Sequence, residues 1–381
     1  MRMKTITYVQ FEEKPREWGI DNFSLGNINL VVGKNATGKS KILNVIGGLA
    51  NLISGDVELK FRSGKYNVVF DNDGKEITYI LEYEESRVLK EKLIINSKPV
   101  LDRHDGGRGT IFAEEENKEI NFQAPENQLA CVNRRDDVQH PFFEALYKWG
   151  KQMRHYHFGS PLGKDCFAII NNDEKGSDLN PKDTNQVVVM FWKGRKEFSD
   201  RFVDAIKVDM KSIGYNLDKI DVGRPMSLAF KPGPIQIPNG MLVQESDLDE
   251  ETDQNDMSQG MFRAMSLLIQ LNYSQMGSIP SCILIDDIGE GLDYERASAL
   301  IKLLVEKAKN SKVQLIMSTN DRFVMNNVPL EYWSVVRRLP KRTKIYNYKN
   351  ARKTFEEFEL TGLNNFDFFS SRFYVEGKDQ K

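Results

Sequence analysis

The chain has 381 residues, with 53 Lys and Arg against 55 Asp and Glu, so its net charge of −2 gives no global basic field that would argue for nucleic acid, while local patches stay open. No run reaches the eighteen or so apolar residues of a membrane span and Met1-Arg2-Met3-Lys4-Thr5 lacks an apolar signal core, so a cytoplasmic protein with no membrane contact is expected. Cys131, Cys166 and Cys282 are odd in number and far apart, which indicates neither a disulfide framework nor a zinc site.

Strands are predicted over 5–11 and 23–32, on either side of the turn-rich Lys14-Pro15-Arg16-Glu17. They lead into Gly33-Lys34-Asn35-Ala36-Thr37-Gly38-Lys39-Ser40, a full match to the phosphate-cradling pattern of a Gly, four free positions, then Gly, Lys and Ser. An apolar face at helical spacing follows at once (Ile42, Leu43, Val45, Ile46, Leu49), so Gly38 to Ser40 should open a helix whose amides point at a bound anion. Gly33 and Gly38 permit close backbone approach, Lys39 is the point charge for the outer phosphates, and Ser40 offers a hydroxyl to magnesium. The candidate nucleotide-binding set in the loop is therefore Gly33, Asn35, Thr37, Gly38, Lys39 and Ser40.

Short alternating runs at 57–61, 66–70, 77–83 and 89–95 read as an antiparallel meander, with Glu82 and Glu84 on a wet face. A turn over 103–108 and a strand pair around Ile111 and Ile120 follow, then a helix over 141–153 carrying Phe142, Leu146 and Trp149. Residues 151–159 interleave Lys151, Arg154, His155 and His157 with Tyr156 and Phe158. A half-exposed strand explains this alternation better than a nucleic-acid patch, and no third ligand accompanies the histidines. The polar stretch 171–185 reads as a loop, 198–213 as an amphipathic helix, 226–230 and 235–237 as strands, and the acidic run 245–256 as a solvated, flexible segment.

Beyond it, Ser258 and Gly260 open an apolar helix and can bind an anion there. Cys282 to Asp286 is a buried-strand pattern that presents carboxylates at its C-terminal edge, with Asp286 the natural magnesium partner of Ser40. Asp287, one residue on, should project to the opposite side of the strand. A turn over 288–293, a helix over 294–309 and a last strand over 313–317 lead to Ser318-Thr319-Asn320.

This motif order resembles that of the ABC-type ATPases, in particular the soluble heads of the SMC and OLD class. The resemblance makes Gly33 to Ser40 the Walker A loop, Ser258-Gln259-Gly260 the signature, Ile283 to Asp286 the Walker B strand, Gly291-Leu292-Asp293 the D-loop, and Asn320 the switch position. It implies an α/β fold, an ABC-type P-loop ATPase head with an antiparallel β subdomain and an inserted α+β lobe, divided as 1–132 (head), 133–256 (lobe) and 257–381 (head). It also implies ATP and Mg2+ as cofactors, metal ligands Ser40 and Asp286, and Ser258 and Gly260 capping the outer phosphate held by a second subunit in a homodimer or higher oligomer. The family's Glu after the Walker B Asp and its switch His are here Asp287 and Asn320, which suggests slow or partner-gated hydrolysis. The candidate catalytic set is Asp287, Glu290 and Asn320, with Asp287 preferred as base. The magnesium-binding Gln of the family corresponds to Gln123 or Gln128. Residues 287–293 and 363–369 look like the ATPase subunits of bacterial anti-phage defence systems, which implies a separate effector protein. A DNA-repair or chromosome-associated ATPase and a nucleotide-dependent scaffold with little turnover are the rivals, and the first expects a long heptad insertion that this sequence lacks.

Overall fold

Ile28–Val32 is buried at all five positions, as a strand with neighbours on both sides requires. Those neighbours are Gln314–Thr319 and Trp333–Leu339, both parallel to it, with Leu30 opposite Met317 on one side and Trp333 on the other. In the computed structural model, which describes residues 1–59, 63–170, 179–180, 182–228, 238–277 and 282–375, the chain divides into two compact units. The first comprises 1–153, 314–320 and 329–381; the second comprises 154–313 and 321–328. The units are thus interleaved in sequence, and the second begins at 154 rather than at the lobe boundary expected at 133 and takes in the signature and acidic strand.

In the first unit, the sheet continues from Trp333–Leu339 through Arg342–Asn347, Trp18–Ser24 and Arg2–Gln10 into an antiparallel meander. The meander runs Ser63–Asn72, Lys75–Glu84, Arg87–Ile95, Lys98–Arg103, Arg108–Ala113 and Lys118–Gln123. Two-residue hairpin turns with both residues left-handed, Asp73-Gly74, Glu85-Ser86 and Asn96-Ser97, match the twist of their strands. The strand expected over 57–61 is absent in its described part: Val57 to Leu59 is irregular, and 60–61 lie outside the described residues. Helix Lys39–Ile53 buries Ile42, Leu43, Ile46 and Leu49, packing on the switch strand and on helix Phe143–Gln152. The two helices approach so closely at Gly150 that a Cβ there would lie 2.6 Å from the Ala50 carbonyl oxygen. Gln314, 2% exposed, holds the sheet together with its side-chain amide, accepting from Met3 N and donating to the carbonyls of Met3 and Gly26.

The meander also buries an ion pair. Glu91 and Arg103 are fully buried at 3.3 Å, and Glu91 further accepts from Tyr79 OH and the amides of Ala130 and Cys131. Arg103 donates to the carbonyls of Pro125 and Gln128, so the pair pins the segment after the last strand to the sheet. At the C-terminus, helices Arg352–Glu359 and Asn365–Ser370 bury Phe355, Phe358 and Phe368 around Trp333.

In the second unit, Arg154–His157 pairs in parallel with the fully buried Cys282–Asp286. Helix Gln259–Met276 is buried on nearly every side, against helices Val187–Phe198 and Asp200–Ser212. Asp209 accepts from Asn272 at 2.6 Å and pairs with Lys307 at 2.8 Å, joining three helices. A small antiparallel sheet, Leu217–Gly223, Gly240–Glu245 and Thr252–Asp253, completes it. The acidic run is therefore not solvated throughout. Asp253 is buried and holds Ser227, and buried Gln254 donates to the carbonyls of Lys164 and Cys166. The strand expected over 235–237 and most of the one over 226–230 lie outside the described residues, as do 171–178 and 181 of the polar loop.

Candidate functional site

The predicted site residues fall into two sets, one in each unit. In the first unit, the loop turns tightly because Thr37 N and Thr37 Oγ1 both return to the Lys34 carbonyl. A Cβ on Gly33 would lie 2.7 Å from Thr37 Oγ1, and Gly38 sits at φ 102°, so both positions need glycine, the first for space and the second for conformation. Lys39, 7% exposed, lays its ammonium on the loop's own carbonyls, 2.9 Å from Gly33 O and 3.3 Å from Lys34 O. The helix it opens has no side-chain cap and no acid in its first turn, which is the electrostatic condition for an anion at its N-terminus. These residues fit a nucleotide's phosphates: a cradle that a Cβ would fill, an uncapped helix start, and a centred ammonium. Ser40 lies at the helix start, and Asn320 donates its side-chain amide to Asn35 Oδ1 at 2.9 Å, which joins the switch position to the loop.

Gln123 and Gln128 are exposed and locally engaged: the Gln123 carbonyl accepts from Arg134, and the Gln128 side chain accepts from Asn133. Trp18 was not legible as a site neighbour. Its ring carries the Lys41 ammonium 3.9 Å from its centroid and lies 3.6 Å from where a Cβ on Gly38 would stand. Burial, with Arg338 nearby, lowers the Lys41 pKa.

In the second unit, Asp286 closes its strand at 7% exposure, with His157 Nδ1 3.9 Å from its carboxylate. That carboxylate raises the His157 pKa, while burial pulls His155 down to about 4. Asp287 does not continue the strand. It starts the turn with φ 54°, a left-handed backbone that Asp tolerates better than most residues, so the strand-alternation argument for its side chain does not apply. Glu290 presents its carboxylate to Gly159, where a Cβ would lie 2.4 Å from it. Ser258 caps its own helix, accepting from Met261 N at 3.2 Å, and remains exposed with Gln259. Gly260 is required by its neighbour: a Cβ there would lie 2.6 Å from the Gly291 carbonyl oxygen. Arg263 locks these pieces together, with Nε on Ser160 O, one terminal nitrogen on Gly159 O and the other on Glu290 O. The signature helix, the segment after the edge strand and the turn that carries Glu290 are thus one hydrogen-bonded cluster. Sequence reading passed over Arg263, whose signal was a lone cation five residues after Ser258 in an otherwise apolar helix.

Comparison with known proteins agrees with this construction. A structure of an SmcHead bound to the C-winged helix domain of ScpA aligns with 91% of this chain and 97% of its own at 12% identity and a TM-score of 0.53. The SMC head domain from Thermotoga maritima aligns with 91% of this chain and 99% of its own (14%, TM-score 0.46). An Smc head with an extended coiled coil, bound to the C-terminal domain of ScpA derived from Pyrococcus furiosus, aligns with 94% and 99% (12%, TM-score 0.48). No curated protein sequence matches the chain. Residues 28–326 match the family described as "AAA domain, putative AbiEii toxin, Type IV TA system". That span runs from the first residue of the loop strand to just beyond the switch Asn320, so the chain belongs to this AAA-domain family, with the ABC-type ATPase head fold of the SMC and OLD class.

Proposed function

We propose that the protein binds and hydrolyses ATP with Mg2+, dimerises around the nucleotide, and controls a separate effector protein as a sensor in anti-phage defence. The observation that carries the nucleotide reading is the Lys39 ammonium resting on the Gly33 and Lys34 carbonyls beneath an uncapped helix start. In this reading the loop amides and Lys39 hold the phosphates, Ser40 and Asp286 ligate magnesium, and Asn320, held by Asn35, faces the outer phosphate. Magnesium, when bound, neutralises charge on the phosphates. Asp287 serves as base toward water. Exposed Ser258 and Gln259, set by the close Gly260–Gly291 approach, are offered to the nucleotide of a second subunit.

The defence reading is supported by the family description, which names a toxin and a toxin–antitoxin system, and the effector by the Smc relative, in which a head of this fold carries a domain of another protein. A chromosome-associated or DNA-repair ATPase is the second reading, favoured by the same likeness to Smc heads. A low-turnover scaffold remains its neighbour. Sedimentation of Asp287→Asn with and without Mg-ATP tests the core of the proposal: ATP should convert monomer to dimer, and a monomer under both conditions counts against it. Turnover stimulated by DNA favours the chromosomal reading, while co-purification with a nuclease or toxin favours defence.

A further inference from the structure

The outer side of the phosphate loop forms one wall of a second cavity. Lys34 and Thr37 line a space of about 550 Å³ together with Arg337 and Arg338 of strand Trp333–Leu339 and Phe369, Arg372 and Tyr374 of the C-terminal segment. Lys39 and Ser40 are not in its lining, so it is not the cradle. No carboxylate lines it either, and among the described residues none of its four cations makes an ion pair. The contrast with the adjoining hairpin is sharp: Lys341 and Arg342 both pair with Glu17, at 3.8 and 3.1 Å. Four like charges gathered without counter-charge around a concave space raise its potential and select an anion. Arg372 is fixed there by a left-handed backbone, φ 59°, with its amide on Phe369 O and its carbonyl accepting from Val375 N. The Phe369 and Tyr374 rings lie 11° from parallel, with centroids 6.3 Å apart, and give the wall a flat apolar surface. The volume falls in the range of small-molecule sites, roughly 300–1,000 Å³.

We infer that this cavity binds a second phosphorylated ligand with a flat ring, a mononucleotide in class, and that its occupancy alters the loop's hold on ATP. The coupling runs through one atom. The Lys34 carbonyl accepts from both Thr37 Oγ1 and Lys39 Nζ, so an anion that draws Lys34 and Thr37 outward shifts the ammonium in the cradle. Only this coupling rests on the ATP-binding reading; the anion site does not.

Calorimetry on the full chain decides it, with the four ribonucleoside 5′-monophosphates as probes. Lys39→Ala, which silences the cradle, should still bind at least one of them one-to-one. Adding Arg337→Ala and Arg372→Ala should weaken that binding roughly tenfold or more, as the loss of charge-assisted hydrogen bonds implies. With Lys39 intact, the double arginine variant should keep ATP binding, which also reports its folding, but its ATP affinity should no longer respond to the monophosphate. Absence of monophosphate binding to Lys39→Ala, binding indifferent to the two arginines, or binding of single-stranded oligonucleotides alone would overturn the inference. Arginine-dependent monophosphate binding in a parent chain that binds no ATP would support the anion site while sinking the cradle.

Discussion

Lys39 touches only loop carbonyls among its printed contacts and supplies the one ammonium centred beneath the helix start. Lys39→Ala should therefore abolish ATP binding in equilibrium dialysis and leave the circular dichroism spectrum and unfolding transition unchanged. The two carboxylates that follow the acidic strand differ in a way their spacing did not reveal. Asp287 is held in a left-handed turn immediately beside Asp286, while Glu290 lies against Gly159 on a turn clamped by Arg263. A carboxylate fixed against its own chain is a poor candidate to reach water, so Asp287→Asn should slow single-turnover hydrolysis roughly a hundredfold or more, with Glu290→Gln near the parent rate. The opposite pattern, with ATP affinity intact in both, moves the base to Glu290. The loop was legible because its chemistry is local: a glycine, a lysine and a serine at fixed spacing carry their tasks wherever the strand and helix fall. Asp287 was not, because a residue's φ depends on where its strand stops, and the sequence Ile-Asp-Asp-Ile-Gly does not say which aspartate ends it.

Among the elements, the meander shows both the reach and the limit of period-two reading. Ser63–Asn72 buries alternate residues as its pattern predicts, and Asp73-Gly74 is a strong turn signal. Glu91 and Arg103 were passed over because charged residues on half-exposed strands usually face water. Their phase gave the signal: Glu91 alternates with buried Leu93, and Arg103 with buried Leu101, so both point inward. Glu91→Gln leaves Arg103 buried and uncompensated and should destabilise the protein by about 3 kcal/mol in denaturant titration. It should also free the segment around Ala130 to exchange its amide hydrogens faster, whereas a purely surface role would move neither.

For the whole molecule, the aromatic tail belongs first to the first unit's own core: Phe368 is fully buried on Trp333, Phe355 and Phe358. Truncation after Gly362 should accordingly give insoluble protein. What the tail leaves outside is a set of apolar residues, Leu360 at 88% exposure, Leu363 at 58% and Phe373 at 38%, and an effector that docks on the C-terminal segment would use these. Leu360→Ser with Leu363→Ser should lose the co-purifying partner while retaining ATP turnover; a partner still bound places the contact elsewhere. That two late helices would complete the core around Trp333 was not legible, since 352–359 reads as mostly charged and reveals its Phe355 and Phe358 stripe only once Trp333 is in place.

The loop strand's place in its sheet also bears on how the protein is made. Asn29 donates to the Leu315 carbonyl across 286 residues of chain, and the strand's other neighbour, Trp333–Leu339, is later still. During synthesis the phosphate loop thus leaves the ribosome with its motif complete and its supporting strands unwritten, an apolar segment that must wait for most of the chain before it is covered. A product cut short anywhere before the switch strand carries every letter of the Walker sequence without the sheet that gives the loop its shape. Nucleotide capture is in this sense a report that translation has nearly finished, and a partner that recognises the ATP-bound form will ignore unfinished copies.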